Sequence, residues 1–388
     1  MTADGQEWEL KELIGKIANL ELPVIDIKEL CQPSPSLEIE EFLGILQNPD
    51  QYFIIDVRSE AEYAESHIPG AVNLALFNNK QRHNIGLLFK QKSQKLAEQV
   101  GAYYAYRKQA NYVDEIKSEA KGKKILVHCW RGGNRSKSVT ALLCKQGLDA
   151  TRLNGGIKAF RRTVHHYLYE YKLDLIALSG QTGTGKSAIL EEMQKNGDTP
   201  VLHLEEAARH ASSVFGPIRF GGAPIEKQQQ FETRLFMQLL PWLDKGDLPT
   251  FFSEKESPKI GRLTLPPAVQ KALNEEKHIH LDCPLELRVN RLYEEYIESS
   301  SNELRQNLRE RISYLKRLLS TKQLEEYLHL FDTENWDVLL ERILVEYYDK
   351  VYKTTDTPPI LKINNISIAQ TILNINKNIN KKDKKDKK

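Results

Sequence analysis

Cys129 is the residue best suited to covalent chemistry in this sequence. It follows the apolar run ILVH and opens Cys-Trp-Arg-Gly-Gly-Asn-Arg-Ser at 129–136, ahead of a helical pattern, KSVTALLCKQG. A cysteine between a strand end and a helix start meets unpaired backbone N–H groups and the positive end of the helix dipole. Arg131 and Arg135 add positive charge, so the setting favours the thiolate, the nucleophilic form of the side chain. Gly132 and Gly133 let the backbone curl tightly enough to aim its N–H groups inward, and Ser136 completes the anion cradle. Burial in a core is the usual fate of a free cysteine and accounts for Cys144 and Cys283. It does not account for two glycines and two arginines directly after Cys129.

A second loop carries phosphate chemistry. Gly180-Gln-Thr-Gly183-Thr-Gly185-Lys186-Ser187 satisfies G-x-x-x-x-G-K-[ST], follows the strand-like run LDLIAL and opens a helix. Backbone N–H groups of such a loop cradle a di- or triphosphate, Lys186 reaches the outer phosphate, and Ser187 is the candidate ligand for Mg²⁺. Glu254, after the strand-like PTFFS, and Asp282, ending HIHLD, are candidates to hold a metal-bound water. Arg288 and Arg291 fall on one face of the next helix and are candidate phosphate contacts, with a surface ion-pair role as the competing reading.

The elements that must position these loops are those of two α/β units. Tyr52–Val57 and Lys124–His128 read as strands buried on both faces. In the second unit, strands are predicted from Asp174 and at Thr199–Leu204, Pro249–Ser253 and His278–Asp282, with a helix over Ser187–Asn196. From Leu285 to Tyr352 the period is helical. The division read here is a lead-in at 1–22, a first α/β domain at 23–165, a linker at 166–173, a second α/β domain with C-terminal helices at 174–355, and a low-complexity, disordered tail at 356–388.

The bulk composition excludes several classes. With 388 residues, 40% hydrophobic and 28% charged, the chain can bury sizeable cores. It shows neither a membrane-length apolar run nor a signal-peptide pattern. Four scattered cysteines, with no C-x-x-C pair, argue against zinc and disulfides and fit a reducing, cytoplasmic setting. Net charge is only +2, and the last eight residues contribute six lysines against two aspartates, so RNA contact requires a local basic surface.

The segment Asp56-Val-Arg58-Ser-Glu-Ala-Glu62-Tyr63, then His67-Ile-Pro-Gly70-Ala71-Val-Asn73, resembles the rhodanese family in order and spacing. There Asp56, Arg58 and His67 read as internal hydrogen-bonding partners and Cys129 as the nucleophile. Sulfur-transferring rhodaneses usually have one residue fewer between Cys and Arg. The spacing His-Cys-x5-Arg-Ser is shared with cysteine-dependent phosphatases and suits a larger tetrahedral anion.

A rhodanese-like α/β domain followed by a P-loop NTPase-like α/β domain resembles the tRNA 2-selenouridine synthase family over residues 23–353. Agreements include both loops, Arg82-x-x-Ile-Gly86-x-x-Phe-Lys90 and Leu153-x-Gly-Gly156-Ile-Lys158. Phe215-Gly216, Glu254-x-Glu256-Ser257-x-x-Ile260-Gly261 and Tyr348-Asp349 also agree. Asn134 stands where the family pattern has Met, Ala211-Ser212 where it has Arg-Gly, and the match near Pro224 is loose.

The resemblance implies a transferase acting on tRNA with a wobble 2-thiouridine. The sulfur is geranylated from geranyl diphosphate, then displaced using selenophosphate. No tightly bound cofactor is implied beyond Mg²⁺ accompanying a nucleotide or diphosphate.

For tRNA, the best local candidate is 152–172, where Arg152, Lys158, Arg161, Arg162, His165, His166 and Lys172 are interleaved with Phe160, Tyr167, Tyr169 and Tyr171. An interdomain helix whose aromatics simply pack is the alternative. Three other functions stay open on residues alone: a cysteine phosphatase, a plain sulfurtransferase, and an anion- and RNA-binding module without turnover.

Overall fold

The computed structural model describes residues 9–18, 25–195, 199–211, 216, 220, 227–275, 277–298, 301–315, 319–351 and 357–386. Two compact units meet in sequence at His165–His166, and each is organised around a five-stranded sheet in which every pairing is parallel.

In the first unit the strands are β1 (Ser36–Leu37), β2 (Tyr52–Asp56), β3 (Val72–Asn73), β4 (Lys124–His128) and β5 (Ala150–Leu153), in the order β1-β5-β4-β2-β3. The sequence of β4, KILVH, buries its last four residues, as a central strand covered on both faces must. Ile55, Val57, Ile125 and Val127 meet Tyr112 and Ile116 of the long helix Gln94–Ala120 and Leu143 of the helix Asn134–Lys145 in one core. Asp56 pairs in register with His128, so Cys129 emerges at the carboxyl edge of the sheet, where open α/β folds present their chemistry.

The second unit uses β6 (Leu175–Ser179), β7 (Val201–Leu202), β8 (Phe251–Glu254), β11 (His278–Asp282) and β12 (Leu361–Asn364), in the order β12-β11-β6-β8-β7. A short antiparallel pair, β9 (Lys259–Ile260) with β10 (Leu263–Thr264), stands apart. The wholly buried β6 is the middle strand, so the loop that follows it has β11 on one side and β8 on the other. Helices Leu285–Tyr293, Asn302–Tyr314, Thr321–Asp332 and Trp336–Arg342 build a separate core around Leu292, Ile312, Tyr327 and Leu340.

One expectation is overturned. The segment read as a disordered tail from 356 contains β12, which pairs with β11 over four residues, and the helix Ile368–Asp386. Its Asn/Ile/Lys composition hides a pattern: Ile363, Ile372 and Ile375 are buried against Ile189 and Leu190 in the core of the sheet. Isoleucines at helical spacing supply the apolar face, while Lys362, Asn364 and Asn374 lie on the solvent side and Asn365 is buried.

Candidate functional sites on the two loops

Cys129 lies at the floor of its loop, 3% exposed, with Sγ 3.2 Å from Ser136 Oγ. The Ser136 hydroxyl also lies 3.2 Å from the Gly133 carbonyl oxygen. A serine has one proton, so it donates to Gly133 when Cys129 is a thiol and can turn to Sγ when Cys129 is a thiolate. Arg135 gives Glu62 a two-pronged hold, at 2.6 and 3.2 Å. Glu62 in turn belongs to the Ser59 capping box of the helix Glu60–Glu65. Burial alone would raise the Glu62 carboxyl, but the hydrogen bond and charge of Arg135 outweigh it and hold the group below its ordinary value. Arg131 is exposed at the rim.

The loop is shaped by backbone pressed on backbone. Gly132, Gly155 and Gly156 all have positive φ, and a Cβ on Gly156 would fall 2.3 Å from the Cys129 carbonyl oxygen and 2.6 Å from Gly132 N. The start of the helix Gly156–His165 donates into the loop, Ile157 N to Cys129 O at 2.9 Å and Lys158 N to Trp130 O at 3.0 Å. Gly133 is the residue preceding the helix Asn134–Lys145, whose first N–H groups close the cradle.

Beneath the loop, Arg58 grips Asp56 at 2.6–3.0 Å, and both are buried, in keeping with an internal role. His67 stacks on Tyr63 at 4.2 Å. Burial pushes the His128 imidazole below its ordinary value. Trp130, given no role on sequence grounds, is 39% exposed beside Cys129, with the Arg58 guanidinium 5.9 Å from its ring centre. Next to Glu62 opens a cavity of about 610 Å³ walled by Arg82, Ile85, Leu87 and Phe89.

The phosphate loop is held differently. Gly180, Gly183 and Gly185 take positive φ of 146°, 81° and 86°. Lys186 folds back so that Nζ donates to Gly180 O at 2.7 Å and Gln181 O at 3.1 Å. Burial lowers its ammonium below the ordinary lysine value, against the opposing pull of Glu205, Glu256 and Glu254. Ser187 follows in the first turn of the helix Lys186–Lys195.

Arg288 and Arg291, read as candidate phosphate contacts, hold the loop through its carbonyls. Arg288 Nε donates to Thr182 O at 2.8 Å while its fork grips Asp349 at 2.6 and 3.0 Å. Arg291 Nη1 lies 3.3 Å from Gly183 O. Asp349 and Asn365, which sequence reasoning did not single out as site residues, complete this side.

The two candidate acids separate by environment. Glu254, 2% exposed, ends the strand beside β6, accepts from Leu204 N at 2.9 Å and lies 3.8 Å from His203 Nδ1. Burial would lower His203, but hydrogen bonding and charge from Glu254 raise it. Asp282 is nearly half exposed and paired with Lys362 at 2.9 Å and His280 at 3.2 Å. Among the described residues, no group of three or more His, Cys, Asp or Glu is arranged to hold a metal ion.

The 152–172 segment splits in two. Phe160 is fully buried against Phe42, and Tyr169 donates to Glu232 at 2.8 Å. Tyr167 packs between Tyr171 and Phe236 with ring centres 5.4 and 5.8 Å away. These aromatics are packing elements, which corrects their reading as base-stacking groups. Arg152 Nη1 points to Gly132 O at 3.3 Å and supports the cysteine loop, and Arg161 is half-buried. Lys158, Arg162 and His165, at i, i+4 and i+7, remain exposed as a basic ridge running from that loop. The departures noted at Ser212 and Pro224, and the agreement at Phe215, fall outside the described residues.

Comparison with known proteins agrees with this arrangement. A rhodanese-like domain matches residues 38–163, and a tRNA 2-selenouridine synthase AAA domain matches residues 173–377. The tRNA 2-selenouridine synthase of Nitrosomonas europaea is 29% identical over 290 residues, 72% of this chain and 73% of that protein. The enzyme of Alcanivorax borkumensis is 31% identical over 329 residues, 77% of this chain and 88% of its own. That of Sulfurovum sp. is 27% identical over 328 residues, 77% and 87% of the two chains. No helix among the described residues is long and apolar enough to cross a membrane.

Proposed function

The chain belongs to the tRNA 2-selenouridine synthase family and is a transferase acting on tRNA; from that premise we propose that its two loops divide the exchange of sulfur for selenium at a wobble 2-thiouridine. The phosphate loop of the second unit binds geranyl diphosphate. The thiocarbonyl sulfur attacks C1 of the geranyl group, a C–S bond forms, and the C–O bond to diphosphate breaks. Lys186 and the loop N–H groups stabilise the charge that develops on the leaving diphosphate.

At the cysteine loop, the selenium of selenophosphate attacks C2 of the alkylated base. The C2–Se bond forms, the C2–S bond breaks, and geranyl thiolate leaves. Alkylation is what makes that sulfur a good leaving group. Attack by Cys129 Sγ on phosphorus then breaks the Se–P bond and leaves 2-selenouridine, and water releases phosphate from the cysteine.

The observation that carries this reading is Cys129 at the floor of the eight-residue arc 129–136, with Sγ 3.2 Å from the Ser136 hydroxyl and Arg135 locked beside it. Trp130 offers the base a stacking face, and the ridge of Lys158, Arg162 and His165 meets the RNA backbone. We assign the geranyl chain of the intermediate to the apolar-walled cavity beside Glu62. Mg²⁺ fits the second loop: the Ser187 hydroxyl and Glu254, through water, are the sparse donor set this ion takes when phosphate oxygens fill the rest of its shell. We place the reaction in the cytoplasm.

Nucleoside mass spectrometry on 2-thiouridine tRNA tests the reading. The protein with geranyl diphosphate alone should yield the S-geranyl nucleoside, and added selenophosphate should convert it to 2-selenouridine. Unchanged 2-thiouridine with folded protein and active substrates would refute it.

A further inference from the structure

Asn365 follows β12, in the stretch that composition alone marks as a tail, and is 0% exposed. Its side-chain Nδ2 donates to Thr184 O in the phosphate loop at 2.7 Å. Oδ1 accepts from the Thr371 hydroxyl at 2.9 Å. Its backbone N donates to Asp282 O at 2.7 Å, and its carbonyl lies 3.3 Å from Arg291 Nη2. Every polar group of this buried residue is therefore engaged; the Thr184 carbonyl, which can only accept, fixes which end of the amide faces the loop, and the Thr371 hydroxyl holds the other end.

With Arg288 on Thr182 O and Arg291 near Gly183 O, three successive loop carbonyls are held from outside by three donors. A trans peptide is planar, with its C=O and N–H on opposite sides. Pinning the Thr184 carbonyl outward therefore turns the Gly185 N–H away from Asn365, toward the inner side of the loop. Gly185 shares the arrangement, since a Cβ there would lie 2.9 Å from Asn365 Nδ2 and 3.0 Å from Arg291 Nη1.

We propose that Asn365, oriented by Thr371, is a positioning residue that sets the phosphate loop for diphosphate. The C-terminal strand and helix thereby become part of the binding machinery of the second unit. This inference rests on the reading that the loop binds diphosphate.

The test uses full-length protein and inorganic diphosphate with Mg²⁺, scored by equilibrium binding and by the rise in unfolding temperature that the ligand produces. Asn365→Asp keeps the size of the side chain, removes the amide donor and brings in a carboxyl group, so Thr371→Val, which adds no charge, is measured beside it. Diphosphate affinity should fall about tenfold, the scale of one lost hydrogen bond beside a charged ligand. Thr371→Val should leave Asn365 in place but unoriented, and weaken binding about threefold.

A purely structural role would lower the unfolding temperature of the free protein and leave affinity untouched. Wild-type affinity in both variants, with binding lost in Lys186→Ala, would overturn the inference and spare the reading beneath it. No binding by the wild type would overturn both. Should Asn365→Asp fail to fold, the threefold loss in Thr371→Val decides.

Discussion

The two loops solve one geometric problem with different materials. Each follows a buried parallel strand and opens a helix, so each inherits unpaired N–H groups and a helix dipole. The cysteine loop is shaped by nearby chain: Gly155 and Gly156 press on it, and the next helix donates to its carbonyls. The phosphate loop also has backbone against it, at Gly180 beside the Leu281 carbonyl, but it is clasped in addition by side chains from over a hundred residues away, Arg288 with Asp349, Arg291, and Asn365. Close backbone packing fixes the position of Cys129 to within small tolerances. A clasp of side chains fixes peptide orientation and leaves the lysine free to exchange its loop carbonyls for a ligand.

Substitutions can break the two designs separately. The largest effect is expected at Gly156→Ala, where the methyl meets backbone at 2.3 Å and φ is positive. It should cost at least about 3 kcal/mol of stability in the first unit and abolish selenation. Gly70→Ala has positive φ but open space around it, and should cost only about 1–2 kcal/mol. Denaturant melts of both variants check the contrast; equal losses would deny the backbone contact its role.

Next, Arg288→Met should raise KM for geranyl diphosphate about a hundredfold and destabilise the second unit by about 2–3 kcal/mol, since Asp349 loses its partner. Adding Asp349→Leu should restore stability without restoring KM, and recovery of both would show that the clasp acts only through folding. Leu87→Glu, in the cavity beside Glu62, should raise KM for geranylated tRNA about tenfold and leave the geranylation step unchanged. Steady-state rates on the two substrates distinguish these outcomes.

The smallest effect concerns pH. Glu62 is held below its ordinary value, so the stability it supplies is complete above about pH 4.3, the unfolded value, and is lost as pH falls through the folded one. Glu62→Gln should be about 1–2 kcal/mol less stable than wild type at pH 6, and the gap should narrow as pH falls below about 4.3. A gap that stays constant down to the lowest pH at which both proteins fold would mean that packing, not the ion pair with Arg135, accounts for the loss.

Both loops were legible from sequence because their chemistry is local. Cys129 through Ser136 and Gly180 through Ser187 are contiguous, and each follows an apolar strand. The strands Lys124–His128 and His278–Asp282 are also where the apolar runs place them. What escaped was assembled by the fold. Trp130 gains meaning only when it is found exposed beside Cys129, and Asp349 only when Arg288 is seen to reach it. The C-terminal strand was hidden because Leu361–Asn364 is short and lies in a run of asparagine, isoleucine and lysine. Its partner, β11, is distant in sequence. Tyr167 misled for the opposite reason: aromatic and basic residues interleave at 152–172, and the aromatic set faces inward.

Division of labour between the loops is the central claim, and pre-geranylated tRNA tests it most directly. Supplied with selenophosphate, Lys186→Ala should form 2-selenouridine at nearly the wild-type rate, while Cys129→Ala should form it at least about a thousandfold more slowly. With unmodified 2-thiouridine tRNA and geranyl diphosphate the order should reverse, Cys129→Ala accumulating the geranylated nucleoside and Lys186→Ala leaving the base untouched. If Lys186→Ala instead failed on the pre-geranylated substrate, or Cys129→Ala selenated it normally, the assignment of one step to each loop would be wrong.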